Sequence, residues 1–405
     1  MLYFDNLSRD SNDVYLADGL TDEITSRLGQ VARLVVTSRT TMQRYRRVSR
    51  ADPTTLAQTL RVAHLVNGSV RRGVNRVRVS VELVRAKDGV QLRSDTYDRT
   101  SGDVLDIEED VARSVATAIA GRLLPQERAT LAARPTRSAV AYDHFLRGNY
   151  ALSQRSEASL ARAIAEYQAA LRFDSTFTAA LSRIAYTYTF YVAFGWTLPG
   201  LPAESLLARG MATADRAVQL DSASSDAWMA RGFLLTFRNP MTLRGAREAF
   251  ERAIALDPDN AEALHQYGNT LQKLGNDSAA EAAYARALAI DPLRPVTLRF
   301  MAQLRLLQRK YPEALRWADS AIAVDSTFAL AYVDRARASR LLGDTAGARL
   351  DADALQRFAT AGTRRWAEAT RVLAEMAAGD TLAAREHANR LFQQLVAGDS
   401  TGADL

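Results

Sequence analysis

The stretch Ile254-Ala255-Leu256-Asp257-Pro258-Asp259-Asn260-Ala261-Glu262-Ala263-Leu264 decides the fold. Its apolar residues close one helix at Leu256, and Pro258, lacking a backbone N–H, stops that helix before a new one begins. The same phrase recurs as LRFDSTFTAAL at Asp174, VQLDSASSDAW at Asp221, LAIDPLRPVTL at Asp291 and IAVDSTFALAY at Asp325. Successive Asp residues are 47, 36, 34 and 34 positions apart. A helical hairpin repeated at a period of about 34 follows.

Within the clearest unit, Leu264, Gly268 and Leu271 share helix A, Gly275 marks the turn, and Ala280, Tyr284 and Ala287 lie on helix B before Pro292. The small residue at Gly268, matched by Gly148, Ala185, Gly232, Ala302 and Ala336, lets the paired helices approach closely. The aromatic at Tyr284, matched by Tyr167, Phe250 and Trp317, fills the space between hairpins. These residues resemble a tetratricopeptide repeat (TPR) array. Hairpins are expected at 141–174, 178–221, 225–257, 261–291, 295–325 and 329–359, with a degenerate one at 363–397 turning at Gly379-Asp380. Residues 398–405 read as a disordered tail.

Residues 1–124 follow another rhythm. The run Arg76-Val77-Arg78-Val79-Ser80-Val81-Glu82-Leu83-Val84 alternates with period two, the mark of a strand with one buried face. Lys87-Asp88-Gly89 supplies a hairpin turn into a return strand over Val90 to Tyr97, and Ala63 to Val70 reads as a strand before them. Helices are expected at Leu16–Gly29, Thr54–Arg61 and Val104–Leu123, with a short strand at Leu34–Thr37. The fold class is therefore an α/β sandwich over 1–124, a linker over 125–140, and an all-α repeat solenoid over 141–397.

The wording of the first module, Phe4-Asp5-Asn6-Leu7-Ser8, Tyr15-Leu16-Ala17-Asp18-Gly19-Leu20-Thr21-Asp22-Glu23, Val66-Asn67-Gly68-Ser69-Val70-Arg71-Arg72 and Tyr97-Asp98-Arg99, resembles the TolB-like amino-terminal (FlgO-type) domain. The resemblance implies a bacterial signalling protein, in which such a module and its repeats commonly follow a winged-helix, nucleotide cyclase or serine/threonine kinase domain. It implies no catalytic residue. In that family the first strand begins several residues before the equivalent of Leu2, and a three-residue strand is too short to anchor a sheet. The chain is thus expected to be the downstream part of a longer protein, or to carry a misassigned start.

The 405 residues are 47% hydrophobic and 24% charged, a composition that suits a folded chain. No apolar run approaches the roughly 20 residues that span a bilayer, and a cytoplasmic location is expected, or else the soluble region of a membrane-anchored protein. With no cysteine and four dispersed histidines, His64, His144, His265 and His387, neither thiol chemistry nor a metal site is expected. Phosphate-loop, nucleophile-elbow and kinase motifs are absent, so no catalytic or cofactor-binding residue is assigned. Asp103, Asp106, Glu108, Glu109 and Asp110 read as acidic residues favouring the positive end of a helix, and Asp18-Gly19 as a turn and helix entry. From Arg27 to Arg99 there are 16 basic residues against 5 acidic ones, but no recognition helix or stacking platform accompanies them, which disfavours nucleic-acid binding by this chain.

Function is therefore assigned to surfaces. Helix A residues of stacked hairpins line a concave groove, here Glu262, His265, Asn269 and Gln272, then Arg299 and Gln303, then Arg337 and Arg340. Amides suit a peptide backbone and arginines a carboxylate, so a protein or peptide partner is expected. The aromatic run ending in Tyr191, Phe194 and Trp196 is a second candidate surface, for self-association or for internal packing. The expected role is a noncatalytic scaffold or sensor, or alternatively the regulatory region of a larger transcription regulator, cyclase or kinase whose output domain lies upstream of Met1.

Overall fold

The computed structural model describes residues 1–31, 33–37, 41–42, 53–60, 62–100, 102–198, 201–238, 240–359 and 363–396; the tail expected to be disordered lies outside them. Two compact units are present, Met1–Thr187 with Gln219–Asp221, and Tyr188–Val218 with Ser222–Leu405.

In the first unit four strands lie in the order β1 (Asp5–Asn6), β2 (His64–Arg72), β3 (Arg76–Arg85) and β4 (Gln91–Thr100). β1 runs parallel to β2 with Asp5 opposite Ser69, and the other pairs are antiparallel, Val70 facing Val79 and Val79 facing Tyr97. The period-two pattern has the expected effect, since Val77, Val79, Val81 and Leu83 are all buried. Helices α1 (Val14–Gly29) and α3 (Val104–Ala120) pack on the sheet, and Ala57 of α2 (Pro53–Leu60) clusters with Leu65 and Ala86.

Several local expectations are corrected. Leu34–Thr37 forms no strand; Val35 is fully exposed, so the segment lacks the burial that favours pairing. Asp18 and Gly19 are not a helix entry but lie inside α1. A Cβ on Gly19 would lie 2.9 Å from Leu146 Cδ2, so its lack of a side chain is used for close packing on the first hairpin. Residues 125–140, read as a linker, carry α4 (Pro125–Ala132).

The acidic run at the start of α3 also has other uses. Asp106 pairs with Arg134, Glu109 with Arg113 and Asp110 with Arg99. Glu108 is fully buried: Tyr142 donates to both its oxygens, at 2.6 and 2.7 Å, and Arg27 lies 3.6 Å away. Burial holds the Glu108 carboxyl well above the usual range, with nearby Glu23 adding to the shift and Arg27 opposing it. The basic excess is likewise engaged, Arg76 and Arg78 on Asp98, Arg93 on Asp95, and Arg33 on Glu127.

From residue 139 the chain is a succession of paired helices: α5 (Ala139–Ser153) and α6 (Glu157–Phe173), α7 (Thr178–Phe194) and α8 (Ala203–Leu220), α9 (Ser225–Arg238) and α10 (Leu243–Leu256). There follow α11 (Ala261–Lys273) and α12 (Asp277–Ile290), α13 (Pro295–Leu307) and α14 (Tyr311–Val324), α15 (Ala329–Leu341) and α16 (Thr345–Phe358), α17 (Arg364–Ala377) and α18 (Thr381–Val396). The recurring Asp has a mechanical reason. Its carboxylate accepts the backbone N–H two residues on, at 3.0 Å from Asp174, 3.1 Å from Asp257 and 2.9 Å from Asp325, which fixes the turn into the next hairpin. Between the helices of a pair the turn needs a left-handed residue, supplied by Gly275, Gly343 and Gly379 at φ 78, 85 and 78°.

Small residues and aromatics meet as their types require. A Cβ on Gly148 would lie 2.4 Å from Tyr167 Cε1, and one on Gly268 2.6 Å from Tyr284 Cε1. Tyr167 cannot withdraw, being fully buried between Phe145 and its hydrogen bond to Asn149 at 2.8 Å. Gly148→Ala is therefore expected to cost about 1–3 kcal/mol by overpacking, despite the better helix propensity of alanine. A lower urea midpoint at unchanged m value checks it; an unchanged midpoint rejects the close-approach argument.

Candidate functional site

The helix A residues proposed from sequence lie on α11, α13 and α15, and most are used inside the array. Glu262 pairs with Arg294 and accepts from Gln266 Nε2 at 2.9 Å. His265 is 2% exposed, its Nδ1 lying 3.1 Å from Thr297 Oγ1 and its ring 4.8 Å from Phe300. Burial pushes its imidazole down to about 3, with neighbouring Arg294 also disfavouring the cation. Gln272 accepts from the Tyr284 hydroxyl at 3.1 Å, and Asn269 is half-buried.

Arg299 is the principal correction. Expected to face solvent, its side chain is only 12% exposed, and Nε lies 2.8 Å from Oδ2 of Asp334, which is 4% exposed. Burial raises the Asp334 carboxyl, while Arg299 and a hydrogen bond from Gln303 oppose that shift. Two expected groove residues, Arg299 and Gln303, thus converge on one buried carboxylate of the following hairpin. Sequence reasoning missed Asp334 and Arg294, although both oppositely charged pairs, Arg299 with Asp334 and Glu262 with Arg294, are separated by about one repeat period.

Arg337 and Arg340 differ. Arg337 is exposed and Arg340 half-buried; among the described residues neither guanidinium forms an ion pair, although the charge of Arg337 acts on Asp334 at longer range. Both border a cavity of about 280 Å³ between α15, α16 and α17, whose walls include Val333, Ala348, Trp366 and Leu373. The structure therefore brings together two of the eight expected groove residues around a concave apolar surface. Trp366 and Leu373 were not foreseen as part of it, because the last hairpin departs from the repeat pattern.

The aromatic segment is occupied with itself. Tyr191 is buried, Trp196 meets its ring edge-on with centroids 6.1 Å apart, and Phe194 stacks on Trp196 at 4.7 Å. Gly195 makes the turn between them at φ 64°. Among the described residues there is no group of three metal-ligating side chains, and no helix is long and apolar enough to cross a membrane.

The hairpins define a repeat-type helical array. The family profile described as "Tetratricopeptide repeat" matches residues 242–304. Over 190 residues the chain is 30% identical to a protein of Rhizobium meliloti (strain 1021) named "Putative adenylate cyclase 3", an alignment covering 46% of this chain. The chain spans about a third, 32%, of the length of that curated relative. Among solved structures it is similar to a thermophilic TPR protein in Thermus thermophilus, at 18% identity and TM-score 0.41, covering 50% of this chain and 98% of that one. It is also similar to pilF of Pseudomonas aeruginosa, at 17% identity and TM-score 0.44, covering 56% and 94%.

Proposed function

We propose that this chain is a noncatalytic scaffold or sensor module that binds an extended segment of a partner protein along the helix A face of its repeats. The observation that carries the reading is the cavity bordered by Arg337 and Arg340, where apolar surface adjoins two guanidinium groups that form no direct ion pair among the described residues. The repeat match over 242–304 supports the class, since stacked helical hairpins leave a continuous concave surface for a partner. A second reading, the regulatory region of a larger signalling enzyme, is favoured by the cyclase-named relative, whose length the chain spans only in part.

The test is an array of immobilised nonapeptides of varied charge and apolar content, probed with the full chain. Peptides that bind should protect amides of α13, α15 and α17 from hydrogen exchange. An array with no binder, or protection confined to the sheet, rejects the groove reading. Incubated with ATP, the same chain is expected to yield neither cyclic AMP nor ADP, given its lack of any phosphate-binding motif. Turnover that survives purification and is lost in a point variant rejects the noncatalytic assignment. For the second reading, the genomic sequence ahead of Met1 is decisive: an in-frame cyclase, kinase or winged-helix domain supports it, and a stop codon with a ribosome site counts against it.

A further inference from the structure

The geometry points to a specific occupant for the cavity between α15 and α17: one bulky apolar side chain of a partner segment whose flanking residues are acidic. This rests on the groove reading and narrows it to one subsite. The cavity is about 280 Å³. It opens to solvent, so a bulky side chain of a bound segment can enter it.

Its walls are apolar and only partly covered. Trp366 is 37% and Leu373 48% exposed, and across from them stand Val333 and Ala348. A hydrocarbon or aromatic group entering there removes apolar surface from water on several sides at once, which an exposed single residue elsewhere on the chain does not offer. Alanine at positions 348 and 369 leaves the space open; a larger side chain there would fill it.

The rim sets the charge of the partner. Arg337 and Arg340 are three positions apart on α15, so their guanidinium groups share one face and repel. Neighbouring arginines are already ion-paired, Arg299 with Asp334, Arg335 with Asp351 and Asp319, and Arg371 with Asp353. Arg337 and Arg340 border the cavity with no direct ion pair among the described residues, Arg337 acting on Asp334 only at longer range. Carboxylates beside the inserted side chain would relieve that repulsion through charge-assisted hydrogen bonds. A basic segment would aggravate it.

The experiment uses the full chain and a fluorescein-labelled nonapeptide with a central phenylalanine flanked by two acidic residues on each side, read by anisotropy. Arg337→Ala with Arg340→Ala is expected to weaken binding at least tenfold, since each charge-assisted contact is worth roughly a factor of ten or more. Ala369→Leu, which fills the cavity and leaves both charges, should weaken it about tenfold, as should alanine in place of the peptide's phenylalanine. All variants should melt with the wild type. The proposal is overturned if the peptide does not bind, if a lysine-flanked peptide binds equally, or if the variants leave affinity unchanged. It is overturned too if they only dissolve a dimer of this chain, or if single-stranded oligonucleotide proves the tighter ligand. Array peptides of other composition, mapping to α11 or α13, would sink the subsite and spare the groove reading; an array without binders sinks both.

Discussion

Arg299→Ala is expected to destabilise the second unit by about 3–5 kcal/mol, the usual cost of leaving one member of a buried ion pair alone. Asp334 is 4% exposed, and truncating Arg299 leaves its desolvated carboxylate with only Gln303 and the more distant charge of Arg337 between two hairpins. Because repeat arrays are held together by nearest-neighbour interfaces, the loss should appear as an earlier, separate melting step for the hairpins beyond α14. It should also depend on pH. The folded-state pKa of Asp334 already lies above its ordinary value and rises further without Arg299, so the folded form of the variant takes up a proton more readily than the unfolded chain. The deficit is therefore greatest at neutral pH and shrinks as pH falls through that raised value. Replacing both members by apolar residues, Arg299→Met with Asp334→Leu, should recover most of the stability. A single variant as stable as wild type, or a double variant as unstable as the single one, would show that the pair carries no such weight.

The contrast between Arg299 and Arg340 explains how far the sequence could be read. Junctions such as Leu256-Asp257-Pro258 act locally: the carboxylate, the missing N–H and the helix end lie within three residues of one another, and their consequence is visible in a string of letters. The alternation of β3 and the pairing of Gly268 with Tyr284 are similarly periodic. Partners one hairpin away are another matter. Arg299 and Arg340 both lie on helix A, three residues before Ala302 and four after Ala336, and among the described residues only the first is ion-paired to a buried Asp, which depends on how α13 and α15 pack. Gly19 and Glu108 were misread for the same reason. Each has a sound local use, as turn former or helix-start acid, and each is instead decided by a tertiary neighbour, Leu146 for one and Tyr142 with Arg27 for the other. Leu34–Thr37 fails from the opposite side, having strand-like letters but no neighbouring surface to bury Val35.

The buried imidazole of His265 makes the stability of the repeats sensitive to acid. Its folded-state pKa is depressed to about 3 by burial and by Arg294, against about 6.5 in an unfolded chain. Between those values the unfolded state binds a proton that the folded state refuses, so stability is fully present above pH 6.5 and is lost as pH falls toward 3. From pH 7 to pH 4 the expected loss from this residue alone is about 3 kcal/mol. Asp334, Asp257, Asp351 and Glu108, all raised mainly by burial, act in the opposite direction over part of that range, so the wild-type curve alone does not isolate the histidine. The difference between wild type and His265→Gln does. That variant keeps a neutral polar group near Thr297 and removes the titration, so its deficit relative to wild type should shrink by about 3 kcal/mol between pH 7 and pH 4. Urea denaturation at the two pH values measures the difference, and the His265 ring proton followed by NMR should show no titration step near pH 6.5. Parallel stability curves for the two proteins, or an imidazole that titrates at its ordinary value in the folded state, would mean that His265 is hydrated, and the packing of α11 against Thr297 and Phe300 would have to be redrawn.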